Sequence, residues 1–126
     1  MLFQSFIHKT IIEFLNFTQF LYYFWSVKLL IIDNYDSFTY NLVQLVEQAG
    51  ITDFILVKND QLLHLDNKTF DKVIVSPGPG LASEAGELLP FLQKMIKTKP
   101  VLGICLGYEA LAEIAGARLT QLDQPL

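Results

Sequence analysis

From Val27 onward, short apolar runs alternate with longer stretches in which apolar residues recur at helical spacing. Leu29-Leu30-Ile31-Ile32, ended by Asp33 and Asn34, has the pattern of a strand buried on both faces of a parallel sheet. Asp36 and Ser37 are suited to cap a helix, and Phe38, Leu42, Leu45, Val46 and Ala49 then share one helical face until Gly50 stops it. Phe54 to Val57 and Val73 to Val75 read as the second and third strands, with a polar stretch between them that has room for a short helix. Glu87 to Lys97 repeats the helical pattern and carries Pro90 early, where helices tolerate it. Pro100 opens a fourth strand, Val101 to Ile104, and Tyr108 to Ala115 form a last helix closed by Gly116.

Strands and helices in alternation with short connections predict an α/β fold, an open and mostly parallel sheet with helices on both faces. A chain of 126 residues suits one domain of this kind, running from residue 28 to 126. Residues 1–27 look different. Phe14 to Val27 is an uncharged, aromatic stretch of fourteen residues, too short to cross a bilayer, interrupted by Asn16, Thr18 and Gln19, and followed by no Ala-x-Ala cleavage site. It reads as an extension outside the domain, with an interfacial aromatic helix as the alternative, and no stable membrane insertion is expected.

Composition narrows the partners. Thirteen acidic and nine basic residues give a net charge of −4, and no Lys or Arg run offers a surface for a phosphate backbone, so nucleic acid is not expected. One cysteine forms no internal disulfide, and no CxxC or Cys/His cluster offers a metal site, which makes a reducing, cytoplasmic setting the default.

In open parallel sheets, function gathers at the C-terminal ends of strands, which directs attention to the segments after Ile32, Val75 and Ile104. Gly103-Ile104-Cys105-Leu106-Gly107 places a cysteine between a strand and a helix with a glycine two residues away on each side, the cysteine form of a nucleophile elbow. The following helix points its N-terminus at the sulfur and favours the thiolate, and the Leu106 N–H is placed to stabilise an oxyanion. A buried structural cysteine is the plainer alternative. Ser76-Pro77-Gly78-Pro79-Gly80 builds a rigid loop whose N–H groups can face an anion, although Pro-Gly alternation also marks ordinary turns. Asp33, Asn34, Tyr35, Asp36 and Ser37 crowd the end of the first strand. The two acids suit a magnesium site, or else Asp36 and Ser37 cap the helix while Tyr35, Phe38 and Tyr40 pack or meet a partner.

Taken together, LLIIDNYDSFTYNLVQ, VSPGPGLASEAG and PVLGICLGYEALAEIAGARL resemble the class I glutamine amidotransferases in wording and order, above all the small subunits of anthranilate synthase and aminodeoxychorismate synthase. The resemblance spans nearly all of Lys28 to Leu122. It implies a flavodoxin-like fold, a glutaminase activity and no cofactor. Cys105 would attack the glutamine side-chain amide, Gly78, Pro79 and Gly80 would line the substrate pocket, and a loop glycine, Gly78 or Gly80, would join the Leu106 N–H in the oxyanion hole. Ammonia would pass to a larger chorismate-binding synthase subunit, with Asp33, Asn34, Tyr35, Asp36 and Ser37 expected at that interface.

Two departures qualify what the resemblance implies. The family usually has His-Gln after Cys-Leu-Gly, with the Gln contacting substrate; this chain has Tyr108-Glu109, and an ionised Glu109 accepts hydrogen bonds but donates none. The family's catalytic His and supporting Glu lie well downstream of the cysteine, whereas His8 and His64 both precede Cys105. The expectation is therefore a domain incomplete at the C-terminus with impaired activity. A non-catalytic α/β module that keeps the partner-binding face is the alternative. An unrelated cysteine hydrolase is disfavoured because all three motifs match. Which chorismate product the parent system makes is not written in this chain, since that chemistry belongs to the large subunit.

Overall fold

The computed structural model describes residues 7–14 and 27–120. Four parallel strands form one sheet in the order β2-β1-β3-β4, where β1 is Leu29–Asp33, β2 Phe54–Lys58, β3 Lys72–Val75 and β4 Val101–Gly103. β1 holds the centre, pairing Leu29 with Phe54 on one side and with Lys72 on the other, while Val73 pairs with Val101 across β3 and β4. Every residue of β3 and the first four of β1 are buried, as continuous apolar runs between two helical layers require. Among the described residues β4 has no neighbour on its outer side, and all three of its residues are only half-buried.

Successive strand residues point to opposite faces and so build two cores. Leu30, Ile32, Val73 and Val75 meet Leu88, Phe91, Leu92 and Met95 of α3 (Leu88–Met95) and Leu106 and Ala110 of α4 (Leu106–Ile114). Leu29, Ile31 and Ile74 meet Leu42 and Val46 of α2 (Thr39–Gln48) on the other face. Residues 7–14 are also helical, here called α1, and they lie on this second face. Ile7 and Ile11 of α1 are 7% and 1% exposed within that core, so a segment expected outside the domain contributes two of its buried side chains. The aromatic stretch from 15 to 26 lies outside the described residues.

Local chemistry sets the element ends. α2 begins at Thr39 with Phe38 as its N-cap; Asp36 does not cap directly but accepts the Phe38 N–H at 2.8 Å, so the predicted capping acid works one step upstream. Gly50, at φ 82°, ends the helix in the left-handed conformation open to glycine. Pro90 sits in the first turn of α3, where its missing N–H costs nothing. The polar stretch after β2 contains only a 3-10 turn, Asn67–Thr69, capped by Asp66 through the Lys68 N–H.

A candidate nucleophile elbow at the strand ends

Cys105 joins β4 to α4 at φ 52° and ψ −109°, a backbone conformation that a non-glycine residue holds only under strain. The helix starts at Leu106, two residues before the sequence pattern places it, because Leu106 and Gly107 already belong to its first turn. Glycines on either side make this turn feasible. A Cβ on Gly103 would stand 2.4 Å from the Gly107 backbone, and one on Gly107 would stand 2.7 Å from Val75 Cβ and 2.8 Å from its carbonyl oxygen. Only bare backbone lets α4 approach the sheet this closely.

The loop after β3 docks against the elbow. A Cβ on Gly78 would lie 2.6 Å from Leu106 Cδ2 and 2.5 Å from Asn34 Cβ, so the ends of β1, β3 and β4 meet at Gly78. Gly78 is half-buried, whereas Pro79 and Gly80 are exposed, and Gly80 adopts φ 70° with Glu84 beside it.

Asn34 fixes this convergence. Its backbone N–H donates to Ser76 Oγ at 2.9 Å, its Nδ2 donates to the Ser76 carbonyl at 2.8 Å, and its Oδ1 accepts from Asn59 Nδ2 at 3.1 Å. With 2% exposure, Asn34 belongs to the framework rather than to an outward-facing surface. Asp33 Oδ1 is likewise turned inward, accepting from the Tyr35 N–H at 2.9 Å and Thr39 Oγ1 at 2.8 Å. Tyr35 is 53% exposed at φ 60°, its hydroxyl donating to Asp60 at 2.8 Å and its ring lying 4.6 Å from Lys58 Nζ. The Asp60 hydrogen bond is the main cause holding the Tyr35 hydroxyl above its ordinary pKa. Ser37 is exposed and Asp36 half-buried.

Asn59 is the functional-framework residue that sequence reasoning misses. The available signal is its place directly after β2, at the same sheet end as the three motif loops. Gly86, at φ 56°, lets the chain before α3 pass Asn59 closely enough that a Cβ would stand 3.0 Å from its Oδ1.

The thiol's surroundings oppose ionisation. Burial first, then the Glu109 and Asp36 carboxylates, push the Cys105 pKa up. The N-terminus of α4 at Cys105 acts in the opposite sense, favouring the thiolate. Glu109 itself is half-buried one turn into α4, its N–H donating to the Cys105 carbonyl at 2.9 Å. Neither histidine stands at the elbow: His8 is exposed and lines a separate hollow with Phe38, Asn41 and Gln44, and His64 is exposed in the β2–β3 connection. No helix among the described residues is long and apolar enough to cross a membrane.

Known proteins share this chain's sequence and fold. The family described as glutamine amidotransferase class-I matches residues 30–125. Anthranilate synthase component 2 of Lactococcus lactis subsp. lactis is 50% identical over 98 residues, covering 76% of this chain and 48% of that protein. Aminodeoxychorismate synthase of Streptomyces pristinaespiralis is 39% identical over 111 residues, 79% of this chain and 14% of that protein. The crystal structure of a candidate GMP synthase subunit from Thermoplasma acidophilum superposes with a TM-score of 0.63 at 27% identity, covering 79% of this chain and 50% of that one. The chain spans about half the length of the anthranilate synthase component 2 proteins it matches.

Proposed function

The chain belongs to the class I glutamine amidotransferases, and from that premise we propose that it is the glutaminase component of an anthranilate or aminodeoxychorismate synthase, with Cys105 as nucleophile. One observation carries this reading: the strained Cys105 at the strand-to-helix turn, with the Gly78 loop packed against Leu106. The thiolate sulfur attacks the side-chain amide carbon of glutamine, and the carbonyl electrons move to oxygen. The Leu106 N–H and a loop N–H at Gly78 or Gly80 face that oxyanion. Protonation of the amide nitrogen lets ammonia leave, a glutamyl thioester remains, and water then releases glutamate and restores the thiol. Ammonia goes to a larger chorismate-using subunit, and the exposed Tyr35 and Ser37 are the strand-end residues placed to meet it.

The family's downstream His and Glu would manage the proton, and neither His8 nor His64 lies beside Cys105. Losing a general base costs a factor of about 10²–10⁴. The purified 126 residues should therefore release ammonia from glutamine at background level even with the synthase subunit present, while a version extended through that His and Glu recovers turnover. Strong release by the 126 residues that vanishes in Cys105→Ser would mean that another base serves the thiol.

The second reading is a partner-binding module without glutaminase activity, supported by the position of His8 and His64, both exposed and neither beside Cys105. An extended version that binds the synthase subunit yet leaves glutamine intact would establish it.

A further inference from the structure

Ser76 is fully buried directly after β3, and every one of its polar atoms is committed. Its N–H donates to the Ile32 carbonyl at 3.0 Å, its carbonyl accepts Asn34 Nδ2 at 2.8 Å, and its Oγ accepts the Asn34 N–H at 2.9 Å. The hydroxyl keeps its one proton to give, and gives it to the Pro77 carbonyl at 2.8 Å. We propose, resting on the reading of Cys105 as a glutaminase nucleophile, that Ser76 is a positioning residue whose hydroxyl holds the Pro77–Gly78 peptide so that the Gly78 N–H is presented as an oxyanion donor.

The freedom that this bond removes is specific. The Pro77 ring fixes φ but leaves ψ free, and the glycine that follows has a φ with no Cβ penalty. The peptide plane between these two torsions can turn over while the rest of the loop stays in place. A trans peptide sets its C=O and N–H on opposite sides, so the turned form puts the Pro77 carbonyl where the Gly78 N–H had been. An oxygen there would repel the charge that builds on the glutamine oxygen, whereas an N–H stabilises it. Tying the Pro77 oxygen to Ser76 opposes the turned form. Gly78 also packs against Leu106, which carries the other donor, and among the described residues neither N–H has an acceptor of its own. Gly80, by contrast, is exposed.

The test compares Ser76→Ala with the parent in two settings. In the intact 126-residue chain, amide NMR should show one sharp Gly78 resonance in the parent and a shifted, exchange-broadened one in the variant. In the version extended through the downstream His and Glu, Ser76→Ala should lower kcat about tenfold with KM nearly unchanged, since an oxyanion donor acts in the transition state and outright loss of one costs about 10²–10³. Val46→Ala, a buried change in α2, controls for stability and should keep kcat when both variants are assayed well below their melting midpoints. An extended parent without glutaminase activity overturns the reading of Cys105 and this inference with it. An active parent whose Ser76→Ala variant keeps its kcat or its Gly78 resonance, or whose Val46→Ala variant loses as much, overturns the inference alone. Where Ser76→Ala fails to fold, the parent decides: a Ser76 hydroxyl proton in slow exchange with solvent supports the anchor, and one in free exchange overturns it.

Discussion

Gly78 and Asn34 touch so closely that a Cβ on the glycine would come within 2.5 Å of the Asn34 Cβ. The same Cβ would stand 2.6 Å from Leu106 Cδ2. Gly78→Ala must then push apart two buried side chains, one in the loop after β1 and one in the first turn of α4. Overpacking of this kind costs about 1–3 kcal/mol, which urea titration would register as a lowered midpoint with an unchanged slope. A midpoint equal to the parent's would show that the loop is free to move.

Gly103→Ala and Gly116→Ala make the same chemical change in opposite settings. At 103 the new methyl meets Gly107 backbone at 2.4 Å, and backbone does not yield as a side-chain tip does. At 116 nothing lies within 4 Å, and the penalty comes only from φ +92°. Thermal melts should show the first as the larger loss, above about 3 kcal/mol, and the second near about 1 kcal/mol.

Asn34→Asp keeps shape and removes a donor. The new carboxylate oxygen would face the Ser76 carbonyl at the 2.8 Å now spanned by a hydrogen bond, in a site 2% exposed. A loss of about 1–3 kcal/mol is expected at neutral pH, shrinking as acid protonates the carboxylate and restores a donor. Denaturation midpoints at neutral and mildly acidic pH compare the two conditions directly.

Glu109→Gln should sharpen the cysteine. Since the Glu109 charge raises the Cys105 pKa, its removal lowers it and puts more thiolate at neutral pH. The pH profile of iodoacetamide alkylation should move toward lower pH, with a faster rate at neutrality. Stability follows the same sign: a thiol raised in the native state stabilises the fold below the ordinary thiol range, and that contribution fades as pH climbs through the raised value. The variant should lose less stability than the parent over that alkaline interval.

Much of the framework was legible because burial on both sides leaves an unbroken apolar run, as in β1 and β3. The start of α4 was less so. Gly107 argues against a helix by propensity, yet the close approach to Val75 demands it there. The site split in the same way. Cys105 and Gly78 announce themselves through local motifs, whereas Asn34 finds Ser76 across 42 residues and Asn59 across 25, separations that periodicity does not see. The burial of Ile7 and Ile11 was also invisible, since an aromatic-rich extension shows its apolar face only once a sheet is present to receive it.

The φ of 52° at Cys105 bears on how this protein would change under relaxed selection. Strain of about 1–3 kcal/mol at one residue is a standing charge against the whole fold. Glycine alone would relieve it, so Cys105→Gly should melt higher than Cys105→Ser, which keeps the side chain and its contortion. In a lineage that had stopped using the sulfur, replacements toward glycine at this position would be steadily rewarded. Sequencing natural variants of this gene therefore gives a historical readout: a cysteine retained where glycine is the sturdier choice marks a thiol still in service.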